Sequence, residues 1–102
     1  MTMSIPFIQS LRPNGRKRAV AHNTTPETEA MANALIEQGA YFDIEELMSG
    51  IISMTCERED ADGEIIVLAA EQCQNTLEVD ATVRRLVDRA TKHLAEWSAQ
   101  HP

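Results

Sequence analysis

Ile52-Ser53-Met54-Thr55-Cys56-Glu57-Arg58-Glu59-Asp60-Ala61-Asp62-Gly63-Glu64-Ile65-Ile66-Val67-Leu68 reads as two strands and the turn between them. Ile52, Met54 and Cys56 alternate with Ser53, Thr55 and Glu57, the period of two that a half-buried strand shows. Asp60-Ala61-Asp62-Gly63 closes a three-residue hairpin loop, with glycine where a left-handed backbone is needed. The returning strand is expected over Glu64–Gln74. Setting Asp60 opposite Glu64 pairs Arg58 with Ile66, Cys56 with Leu68 and Met54 with Ala70. This register gathers Ile52, Met54, Cys56, Ile66, Leu68 and Ala70 on one face. It also sends Cys73 to the other face, opposite Ile51 and too far along the strand from Cys56 for a disulfide.

Outward from this hairpin the same logic extends in both directions. Upstream, Phe42 and Ile44 alternate with Tyr41, Asp43 and Glu45, a strand that runs to about Leu47 before Ser49-Gly50 turns the chain. Before it, Thr25 can cap a helix over Pro26–Gln38. Pro26 stands at its first position, Glu27 and Glu29 lie near its positive end, and Gly39 stops it. Arg12-Pro13-Asn14-Gly15-Arg16 is a second hairpin turn, which predicts strands over Ser4–Leu11 and Arg16–His22. Downstream, Val79, Val83, Leu86, Val87, Ala90, Leu94 and Trp97 make one helical stripe, with Asp80 as its expected cap. The order is ββαβββα. It predicts an α+β two-layer sandwich, a mostly antiparallel five-stranded sheet with both helices on one face. Residues 1–102 are expected to form a single domain, with fraying expected at Met1–Met3 and about Ser98–Pro102.

Charge is the most informative total. The net charge is −7 over 102 residues, but it is unevenly placed. Residues 1–22 carry Arg12, Arg16, Lys17 and Arg18 and no acid. Residues 23–80 carry fourteen acids against the single base Arg58. Any function that uses charge must choose one of these poles. The longest apolar run, Ile65 to Ala70, is far short of the roughly 20 residues that span a bilayer. Met1–Leu11 does not read as a signal peptide, so a cytoplasmic protein with no membrane association is expected.

The acidic pole suggests a protein-binding surface made of Asp43, Glu45, Glu57, Glu59, Asp60 and Asp62, which would meet a partner with a basic surface. The alternative is an anion site at Arg12, Arg16, Lys17 and Arg18, for nucleic acid or a phosphorylated ligand. Ile8, Val20, Tyr41, Leu47, Ile51, Ile65, Val67 and Ala69 fall on the face away from the helices. So many apolar side chains there predict a homodimer through the sheet face. No catalytic constellation, metal-ligand spacing or cofactor cradle is present: His22, His93 and His101 have no ligand spacing, and Cys56 and Cys73 match no metal motif. Asp60-Ala61-Asp62-Gly63-Glu64 begins like a calcium loop but lacks the distal ligands and the length. An enzyme is not expected, and no cofactor is implied.

Ile5-Pro6-Phe7-Ile8-Gln9-Ser10-Leu11-Arg12-Pro13-Asn14-Gly15-Arg16-Lys17-Arg18, together with Ser53-Met54-Thr55-Cys56 and Val83-Arg84-Arg85-Leu86-Val87, resembles small uncharacterised proteins of bacterial phages and prophages. The similarity runs through most of the chain and brings no activity or functional residue with it. It implies a mobile-element setting in the host cytoplasm, where short acidic proteins act by binding and blocking a host protein, for instance in anti-defence.

Overall fold

Two helices and three strands follow one another over residues 23–47 and 49–100, the part of the chain that the computed structural model describes. Helix α1 spans Pro26–Glu37 and opens on Thr25, whose Oγ1 accepts the Thr28 N–H at 3.3 Å. Gly39 ends it with φ +96°, a left-handed backbone that L side chains rarely adopt. Strands β1 (Ala40–Glu46), β2 (Ile52–Glu59) and β3 (Ile65–Cys73) form an antiparallel meander in the order β1-β2-β3. A 3-10 turn over Thr76–Glu78 then leads into helix α2, Val79–Gln100. No helix among the described residues is long and apolar enough to cross a membrane.

The core forms where the helices meet one face of the sheet. Phe42 pairs with Cys56 and Ile44 with Met54 across β1 and β2. These four side chains lie beneath Ala32 and Leu35 of α1 and Val79, Val83, Leu86, Val87, Ala90 and Leu94 of α2, all buried. At the far end the Arg58 guanidinium lies 4.9 Å from the centroid of the Trp97 ring, so the last apolar residue of the α2 stripe shields the core while its face holds a cation.

This architecture corrects the expected five-stranded sandwich. The fold is α+β, but the sheet among the described residues has three strands, and their element order is αβββα rather than ββαβββα. The strands expected at Ser4–Leu11 and Arg16–His22 lie outside the described residues. A helix of 22 residues is about 33 Å long, and together with α1 it covers one face of three strands and closes a core there. Turn chemistry at Arg12–Arg16 predicts a local reversal of the chain and carries no information about which sheet edge a hairpin would join.

A second correction concerns β3. Its register begins as expected, with Arg58 opposite Ile66 and Glu57 opposite Val67, but Cys56 then faces Ala69 instead of Leu68. Leu68 is the extra residue of a β-bulge. Beyond it every partner shifts by one: Met54 faces Glu71 rather than Ala70, and Ile52 rather than Ile51 faces Cys73. Ala69 and Cys73 therefore turn into the core, and Ala70 turns out. Cys56 and Cys73 are both free and buried; Ala69, the partner of Cys56, stands four residues from Cys73, about 13 Å along the strand.

Phe42 is fully buried, so Phe42→Ala should cost about 3–5 kcal/mol in urea-induced unfolding. Leu77, 87% exposed on the 3-10 turn, should tolerate the same truncation within about 0.5 kcal/mol.

Candidate protein-binding surface

The face of the sheet turned away from the helices is built in rows by the strand register. Tyr41, Glu57 and Val67 form one row, and Asp43, Thr55 and Ala70 the next. Glu45, Ser53 and Gln72 form a third, while Glu59 faces Ile65 at the end nearest the hairpin. Four of the six acids predicted to make a surface, Asp43, Glu45, Glu57 and Glu59, are thus brought to one side of the β1–β2 ladder. Asp60 and Asp62 stand at the turn beyond it. The alternative anion-binding set, Arg12, Arg16, Lys17 and Arg18, lies outside the described residues, as do Ile8 and Val20 of the predicted dimer face.

The six acids differ in what surrounds them. Glu45, Glu59 and Asp62 are exposed, and Asp43 is half-buried. Glu57 is 8% exposed, and its Oε1 accepts the Thr55 hydroxyl at 3.1 Å. Its carboxylate is part of the packed structure, because a buried charge persists only with hydrogen-bond partners. Asp60 shapes the hairpin: its Oδ1 accepts the N–H groups of Asp62 at 2.8 Å and Glu64 at 2.9 Å, which is the role an Asx turn gives this residue. Gly63 completes the loop at φ +82°. Exposed Glu64 follows. None of Glu45, Glu59, Asp62 and Glu64 enters an ion pair among the described residues.

Two apolar side chains stand among these acids. Ile65 is 53% and Val67 50% exposed, both on the outer face of β3. Ile65 lies directly across from Glu59, with Asp62 and Glu64 in the adjoining turn. An apolar centre with a charged rim is the usual anatomy of a protein interface, although two side chains make a small centre. Of the other side chains assigned to the dimer face, Leu47 is exposed and Tyr41 and Ile51 are half-buried. Ala69 is in the core, because the bulge rotates it inward.

The cations of α2, in contrast, are engaged within the fold. Glu71, turned inward by the bulge, binds the guanidinium of Arg89 and that of Arg85, the latter at 3.5 Å. Lys92 pairs with Asp88 at 3.2 Å. A depression of about 310 Å³ is lined by Leu68, Arg89, Lys92, His93 and Glu96, and its two cationic side chains are those already held by Glu71 and Asp88. Such exposed pairs stabilise little, about 0–1 kcal/mol each, but they lower the positive potential available to an anionic ligand.

At the other end of α2 a polar clasp ties the two helices together. Asp80 Oδ1 accepts the Thr25 N–H at 2.8 Å, so the predicted cap residue of α2 instead holds the start of α1. Arg84 Nε donates to Thr28 Oγ1 at 2.8 Å and to Asp80 Oδ2 at 3.2 Å, while Nη2 reaches Thr25 Oγ1 and Glu27, both at 3.3 Å. Burial by itself would push the Asp80 carboxyl up. The Thr25 N–H, the hydroxyls of Thr28 and Thr25 and the Arg84 charge outweigh it and hold the group below its ordinary value of 3.8. Cys56 moves the other way: burial, and then the neighbouring Glu57 charge, push its thiol up to about 12, which leaves it unreactive at neutral pH.

What sequence reading missed is that Glu57 and Asp60 serve the fold, and that Glu64 belongs with Glu59 and Asp62 around an apolar pair. A period of two puts Ile65 and Val67 on one face of β3, and the pairing of Arg58 with Ile66 turns that face away from the helices.

Two outcomes follow from these surroundings. Glu57→Lys should destabilise the fold by at least about 2 kcal/mol by leaving the Thr55 hydroxyl without its acceptor and burying a cation. Glu59→Lys should change stability by less than about 0.5 kcal/mol; equal unfolding midpoints for the two variants would contradict this. For Asp80 the folded value is depressed, so its contribution is complete above the unfolded value near 3.8 and disappears as the pH falls through the lower folded value. Asp80→Asn should therefore lower stability at pH 7 and flatten its fall below pH 4, which unfolding curves collected across that range measure. Comparison with family models, with curated proteins and with solved structures returns no match for this chain.

Proposed function

We propose that this chain is a non-enzymatic protein-binding module whose acidic hairpin end, centred on Ile65 and Val67, engages a partner with a basic surface. The observation that carries the reading is the pairing of half-exposed Ile65 and Val67 with Glu59, Asp62 and Glu64, carboxylates that no described cation neutralises. Complementary charge speeds encounter and suppresses wrong partners, while the apolar pair supplies contact area that water would otherwise cover. Two copies meeting face to face would set the same three acids of each against the other, so a basic partner fits this surface better than a second copy. With the resemblance to phage and prophage proteins, the partner is a host protein met in the host cytoplasm, and binding blocks it.

The test is capture from bacterial lysate on the immobilised chain, set against the Glu59→Lys/Asp62→Lys/Glu64→Lys variant and an exposed-acid control, Glu37→Lys. Proteins retained by the native chain and by the control should elute between about 0.1 and 0.5 M salt, where screening weakens surface attraction, and the triple variant should not hold them. Retention of the same proteins by the triple variant would remove the acidic rim from the account.

A further inference from the structure

We infer that the partner presents an extended, cation-bearing segment that docks as a fourth strand on the free edge of β3 at Ile65–Val67; this inference rests on the acidic surface proposed above. β3 is last in the sheet order, so among the described residues one of its edges has no neighbouring strand. The hairpin shows which backbone groups face that edge. The Asp60 N–H donates to the Glu64 carbonyl at 2.9 Å, so Glu64 points its backbone toward β2. Alternation along an antiparallel ladder then turns Ile66 toward β2 as well and directs the N–H and C=O groups of Ile65 and Val67 outward.

Farther along, the same edge is guarded. His93 Nδ1 lies 2.8 Å from the Leu68 carbonyl and Arg89 Nη1 donates to the Ala70 carbonyl at 2.9 Å. A carbonyl oxygen can only accept, so His93 Nδ1 carries a proton here. Among the described residues, helix α2 thus occupies the bulged half of the edge, and no strand pairs with the hairpin half. In that hairpin half, no lysine, proline or bulge protects the strand, the devices with which exposed edges usually avoid pairing. Ile65 and Val67 offer both backbone groups that pair with no other described strand and half-exposed β-branched side chains. This is the requirement for strand addition, in which main-chain hydrogen bonds supply attraction and alternate side chains supply selectivity. Glu59, Asp62 and Glu64 select lysine or arginine in the incoming segment and oppose the same edge of a second copy.

The probe is a synthetic peptide of alternating lysine and valine, together with two versions N-methylated on one or the other alternate set of amides. The native chain should bind the parent peptide. One methylated version should lose binding, because one set of amides faces β3, and the other should keep it. Amide exchange at Ile65 and Val67 should slow by about tenfold or more in the complex. Val67→Pro removes an outward N–H without touching the ladder to β2 and should abolish binding, while Val67→Thr should retain it.

Unchanged exchange at Ile65 and Val67 in a complex that Glu59→Lys/Glu64→Lys still abolishes would overturn strand addition while leaving the acidic surface standing. Peptide binding that is indifferent to both charge reversal and N-methylation would overturn the two together. Absence of any peptide binding, or protection of Ile65 and Val67 that rises with protein concentration alone, would also overturn the inference, the latter by assigning the edge to a second copy.

Discussion

Leu68 is one residue more than the ladder between β2 and β3 can pair, and the character of both surfaces of the sheet depends on that bulge. Without it Ala70 would face the helices and Glu71 would face solvent. With it Leu68 and Ala69 both reach the core, Cys73 turns inward beside Ile52, and Glu71 comes under α2, where Arg85 and Arg89 receive it. The bulge also directs two carbonyls, those of Leu68 and Ala70, toward side chains of α2. His93 and Arg89, one helical turn apart, satisfy them, so a local break in the ladder is compensated by the helix packed above it.

The consequence is a division of charge that composition alone does not show. The basic residues of α2 are spent inside the fold: Arg84 on the clasp to α1, Arg85 and Arg89 on Glu71, Lys92 on Asp88. Asp80 and Glu71, two of the acids that make the middle of the chain so negative, are consumed in the same way. Negative potential that remains available is therefore narrower than the count of acids suggests. At the hairpin end it coincides with Ile65 and Val67, which are apolar, half-exposed and on the open edge. That coincidence, rather than the net charge of −7, is what the proposed partner surface rests on.

Helix α1, the strand alternation in β1 and β2, the turn at Asp60–Gly63 and the apolar stripe of α2 were all legible in the residues, because each depends on neighbours within one turn or one hairpin. Thr25 as a cap, Gly39 as a stop and Gly63 in the loop are decisions of backbone conformation, and backbone preference is local. Three results were not legible. The order of the strands in the described sheet depends on which edges pair at long range. The position of the bulge depends on which register lets Leu68 and Ala69 both pack beneath α2. The fate of each carboxylate depends on what lies opposite it: Glu57 and Glu59 are two residues apart on one strand and share a face, yet one is packed into the structure and the other is free in solvent. Sequence periodicity thus determined the elements and the faces they could bury. Only the tertiary structure decided which charges are neutralised and which edge has no neighbour among the described strands, because those outcomes are set by long-range contacts that no local pattern encodes.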